Sequence, residues 1–124
     1  MAPETPEGPL SPEDARVLIG SGDADVVDIR DDADAFAEGH LTGAVHAPGG
    51  DSESLPDDLS DDKTLVFVCE SGERSAEVAA KLRDEGRKAT SVDGGMKSWK
   101  SSGMPVQPRD EVEFEGPDLK APGT

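Results

Sequence analysis

TLVFVCESGERSAEVAAKLRDEG, residues Thr64–Gly86, carries the decisive pattern of the chain. Its first six residues are an apolar, β-branched run, the mark of a buried strand. Ser75–Glu85 follows with Ser75, Val78, Ala79 and Leu82 on one helical face, and Gly86 is a suitable C-terminal stop. A strand running straight into a helix is the unit of a parallel α/β sheet. Cys69 sits at the junction and is the only cysteine among 124 residues.

The neighbouring segments repeat the alternation. On the N-terminal side, SPEDARVLI opens with Ser11 as a cap and Pro12 at the first helical position, and GSG at 20–22 stops that helix. DVVDI at 25–29 reads as a second buried strand, DDADAFAEG as a short helix ending near Gly39, and GAVHAP as a short strand closed by Pro48. Beyond Gly86, KATSV is a further strand. DGG then turns into MKSWKSSG, where Met96 and Trp99 share a helical face. Short strands alternating with short helices predict an α/β fold, a mainly parallel sheet covered on both faces. Ligands of such sheets gather at the carboxyl ends of the strands, where Cys69 lies. The expected organisation is a flexible N-terminal segment at 1–9, one domain at 10–106 and a poorly ordered acidic tail at 107–124, with Val106 and Phe114 able to pin part of that tail. The stretch 49–62 is expected to be an acidic loop with at most one helical turn.

Composition narrows the function. There are 28 acidic and 12 basic residues, for a formal net charge of −16. Such a surface repels nucleic acid and anionic membranes. Abundant aspartate, scarce lysine and a hydrophobic content of 33% are similar to proteins of salt-loving organisms. Folding is therefore expected to weaken at low salt, where self-repulsion is unscreened. No apolar run is long enough to span a membrane, and MAPETPEGPL lacks the features of a signal peptide. One cysteine excludes an internal disulfide and fits a reducing cytoplasm. With two histidines besides, neither a metal site nor a cofactor is expected.

A lone cysteine closing an apolar strand is by default a small buried hydrophobe. Four features argue otherwise here, one of them Arg74, which can add a positive charge or brace the loop. Gly72 gives the turn backbone freedom. Backbone N–H groups of Glu70–Arg74 can converge into an anion-binding nest. Ser75 opens a helix whose N-terminus adds partial positive charge. A free thiol titrates near 8.5, and lowering that by two units takes about 2.7 kcal/mol of thiolate stabilisation. Helix termini and cations commonly supply that much. The expectation is an exposed, nucleophilic thiolate.

Four blocks together resemble the rhodanese-like sulfurtransferases over Leu10 to Val106. They are VVDIR, GHLTGAVHAP, VFVCESGERS and DGGMKSWKSSGMPV, in the family's order. The resemblance implies a three-layer α/β/α fold with a five-stranded, mainly parallel sheet. It implies that Cys69 takes a sulfane sulfur from a donor, thiosulfate or a persulfide, and yields it to cyanide or a thiol. Glu70, Ser71, Gly72, Glu73, Arg74 and Ser75 would form the donor-binding loop, with Arg30 at its mouth. The implied partners are a small sulfur donor and a thiol or protein acceptor. The oligomeric state is left open.

Alternatives stand beside this reading. The fold also hosts dual-specificity phosphatases, but those place arginine after five spacers. Here four residues separate Cys69 from Arg74, and the fifth leads to Ser75. A binding or sulfur-carrier module with slight catalysis is the other alternative. Glu70 and Glu73 are unusual in such a loop and should oppose a dianionic donor, so replacing either with alanine is expected to raise thiosulfate turnover. Asp28 and Arg30 are expected to brace the loops, with attraction of an anion by Arg30 as the functional alternative. His40 is expected to satisfy backbone groups, with a general-base role as its alternative, and His46 and Trp99 are expected to be structural. Asp93–Gly95 could pass for a phosphate loop but better suits a tight turn near Cys69.

Overall fold

The computed structural model describes residues 8–49, 62–104 and 106. Residues 1–7, most of the acidic loop, Phe114 and the tail from 107 lie outside the described residues.

The elements run α1 (Pro12–Gly20), β1 (Ala24–Asp28), α2 (Ala33–Glu38), β2 (Val45–His46), β3 (Thr64–Val68), α3 (Glu73–Asp84), β4 (Ala89–Ser91) and α4 (Gly95–Ser101). The strands form one parallel sheet in the order β2-β1-β3-β4. β1 and β3 are central and pair over their full length, from Ala24 opposite Thr64 to Asp28 opposite Val68.

Side chains alternate between the faces of a strand, and here both faces are covered. Val27, Leu65 and Phe67 pack on one side with Ala79 and Leu82 of α3. Val26, Val66 and Val68 pack on the other with Ala15 of α1 and Met96 and Trp99 of α4. This is the sheet covered on both faces that the alternation of strands and helices predicts, and the three-layer arrangement that the resemblance implies. Ser11 caps α1 as anticipated, its hydroxyl accepting from the Asp14 N–H at 3.1 Å.

The sheet has four strands among the described residues, where five were expected. The fifth position is held by one bridge, Leu10 beside Val92. Leu10 N–H donates to the Ser91 carbonyl at 2.8 Å, and its own carbonyl accepts from Asp93 at 2.7 Å. Pro9 and Pro12 flank this contact and have no N–H to extend a ladder.

Candidate active site

α3 begins at Glu73, two residues earlier than expected, with Gly72 as its N-cap. Ser75 therefore lies inside the first turn rather than opening the helix. The free amides of a helix start need acceptors, and no side chain of the cap residue supplies one. The Cys69 sulfur does. Gly72 N–H donates to Sγ at 3.1 Å and Ser75 N–H at 3.4 Å. The Ser75 hydroxyl lies 3.4 Å from Sγ and 3.2 Å from the Gly72 carbonyl oxygen. In the thiol form Sγ–H donates to Ser75 Oγ, whose proton goes to Gly72. On ionisation the same hydroxyl can turn its proton to the sulfur.

Burial works against the thiolate and pushes the Cys69 pKa up. The Ser75 hydroxyl, followed by the backbone N–H groups of Ser75, Gly72 and Arg74, outweighs it. The net displacement is below the ordinary thiol value. The expectation of an exposed thiolate is corrected in one respect. Cys69 is only 3% exposed, because the loop folds over it and the sulfur sits at the floor of a cleft.

The loop is held from outside by the start of α4. Met96 N–H donates to the Cys69 carbonyl at 2.8 Å, and Lys97 N–H to the Glu70 carbonyl at 3.1 Å. Such an approach requires glycine. A Cβ on Gly95, whose φ is +62°, would overlap the Cys69 carbonyl oxygen and fall 2.6 Å from Gly72 N. A Cβ on Gly72, at φ +93°, would fall 2.8 Å from Gly94 N. The DGG segment is thus a turn packed against the cysteine loop.

The cleft holds about 350 Å³. Cys69, Glu70, Ser71 and Arg74 line one side, and Arg30, Asp31, Asp32 and Ala35 the other. Arg30 is 6% exposed and bound to the buried Asp28, with Nη2–Oδ2 at 2.7 Å. Its Nη2 also donates to the Gly39 carbonyl at 2.8 Å. It braces the end of β1 against the chain after α2, yet its Nη1 reaches within 3.8 Å of Glu70 in the cleft. Arg74 also lines the cleft and pairs with Asp31 at 3.3 Å. Glu73 is exposed on α3 and lies outside the cleft lining.

Asp31 and Asp32 were not singled out from the sequence. Both directly follow VVDIR, and that position at the end of a central strand was the available signal. The two histidines sandwich Phe36, with ring centroids at 4.1 Å for His40 and 4.6 Å for His46. His40 Nδ1 lies 2.7 Å from the Phe36 carbonyl oxygen and His46 Nε2 lies 2.6 Å from that of Arg30. A carbonyl only accepts, so each of these nitrogens carries the proton. Neither ring lines the cleft. Among the described residues no group of three or more His, Cys, Asp or Glu is placed to hold a metal, and no helix is long and apolar enough to cross a membrane.

An α/β/α sandwich with a cysteine capping the helix after its central strand defines a class, and sequence comparison agrees. The rhodanese-like domain model matches residues 11–102, and the chain belongs to that family. It is 40% identical over 97 residues to the thiosulfate sulfurtransferase GlpE of Pseudomonas entomophila, covering 75% of this chain and 84% of GlpE. It is 39% identical over 80 residues to YtwF of Bacillus subtilis, covering 64% and 77% of the two chains. The crystal structure of a rhodanese-related protein from Thermoplasma volcanium superposes with a TM-score of 0.70 at 25% identity, over 81% of this chain and 97% of that one.

Proposed function

We propose that this chain is a sulfurtransferase that carries sulfane sulfur as a persulfide on Cys69. The observation that carries the reading is the sulfur's position as acceptor for the Gly72 and Ser75 amides at the start of α3. Those amides favour an anion on that atom, the thiolate that opens the first half-reaction. With thiosulfate, the Cys69 thiolate attacks the outer sulfur, a new S–S bond forms, and sulfite leaves with the electron pair of the broken one. Cyanide or an acceptor thiolate then attacks the terminal sulfur, takes it as thiocyanate or a new persulfide, and restores the thiolate. This is covalent catalysis in two half-reactions. The chain has no second cysteine, so a small thiol or a protein acceptor in a reducing compartment completes the cycle.

Intact mass spectrometry tests this. Treatment with a sulfane donor should add one sulfur atom, cyanide should remove it, and Cys69→Ser should never gain it. The recessed sulfur favours a second reading, a carrier module that holds sulfur and releases it slowly. It predicts loading without rapid turnover, whereas a pure binding module predicts no mass change with any donor. A phosphatase or arsenate reductase would instead turn over a phosphate ester or arsenate.

A further inference from the structure

The charges around the cleft are unequally placed, and that inequality bears on the donor. Two guanidiniums and three carboxylates line it. Arg30 is spent on Asp28, buried beside it. Arg74 is matched by Asp31. Asp32 caps α2, its carboxylate accepting from the Asp34 and Ala35 N–H groups, so its charge is fixed at the wall. Glu70, 56% exposed, has among the described residues the outlying Arg30 Nη1 at 3.8 Å as its ion-pair partner. The floor offers amide dipoles to one anionic sulfur, while the rim is negative on balance. An entering anion meets that rim with an energy proportional to its own charge. The cleft also has room beyond that of a sulfur oxyanion, with Ala35 in its wall.

From this we infer that Asp31 and Glu70 are specificity-determining residues that select organic sulfane donors bearing a single negative charge, such as thiosulfonates and alkyl persulfides, over dianionic thiosulfate. The inference rests on the sulfur-transfer reading above and names its substrate class. Removing a rim carboxylate lowers the barrier to a dianion twice as much as that to a monoanion.

The test compares thiosulfate with methanethiosulfonate, which donates its outer sulfur in the same way and leaves as methanesulfinate. The kcat/KM ratio of thiosulfate to methanethiosulfonate is measured at low ionic strength for the full chain, Asp31→Asn, Glu70→Gln and Glu85→Gln. Glu85 lies at the far end of α3 and supplies the same change in net charge. The ratio should rise roughly threefold in Asp31→Asn and in Glu70→Gln, for a unit charge about 7 Å from the donor in water. It should stay constant in Glu85→Gln. Molar KCl should raise the wild-type ratio and erase the variants' advantage. If sulfur loads Cys69 but the ratio is unmoved in both rim variants, or moves equally in Glu85→Gln, the inference is wrong and sulfur transfer stands. If neither donor puts sulfur on Cys69, the sulfur-transfer reading itself fails.

Discussion

The floor of the cleft and its rim are built from different materials. The floor is backbone and one hydroxyl: the amides of Gly72 and Ser75 and the Ser75 Oγ on the sulfur, and the amides of Met96 and Lys97 on the loop's carbonyls. Its contacts are short-range and little affected by salt. The rim is side chains, with the Arg74 and Asp31 side chains 50% and 71% exposed. Its charges act at longer range and are screened by ions. The floor can set the chemistry of one atom, and the rim can set only which molecules reach it. Arg30 links the two, because its stem and its Asp28 partner are buried while one nitrogen faces the cleft.

The sharpest contrast is between the two arginines. Arg30→Ala takes the guanidinium from a carboxylate that is 1% exposed and leaves it the residue-30 backbone N–H, and breaking a buried pair costs about 3–5 kcal/mol. Arg74→Ala removes an exposed pair worth about 0–1 kcal/mol. Urea denaturation of both variants reads the difference, and equal losses would dissolve the division between buried and exposed halves. Next in size is Gly95→Ala. A residue other than glycine in the left-handed region costs about 1–3 kcal/mol, and the added methyl presses on the Cys69 carbonyl. Sulfur loading should fall more than stability does, since the loop moves and the sheet does not. The smallest effect concerns the surface as a whole. Melting temperature should rise from dilute buffer to molar KCl as repulsion within a chain of net charge −16 is screened. A constant melting temperature would remove the grounds for reading this composition as salt-adapted.

The floor was far more legible in the sequence than the rim. TLVFVC followed by a helical face fixes a strand–turn–helix by local pattern, and Cys69, Gly72 and Ser75 all fall within seven residues of one another. The start of α3 was misplaced because its cap is a sulfur reaching forward from the strand end, not a Ser, Thr or Asp beside the helix. The Arg74–Asp31 pair joins positions 43 apart in the chain, a distance that local patterns do not cross. DGG reads as a turn, but that its Gly95 leaves no space beside the Cys69 carbonyl is a fact of tertiary packing. The fifth strand came from the family resemblance, and the prolines around Leu10 reduce it to one bridge.

The central claim is that hydroxyl and backbone donors outweigh burial and lower the Cys69 pKa below the ordinary thiol value. Ultraviolet titration of the thiolate tests it directly, since the chain has one cysteine and no tyrosine. The midpoint should fall below the ordinary value of about 8.5, so the group is ionised above that lowered midpoint and loses reactivity only as pH drops through it. Ser75→Ala should move the midpoint upward and carry the pH profile of sulfur loading with it. A midpoint at or above the ordinary thiol value in the unaltered protein would contradict the account.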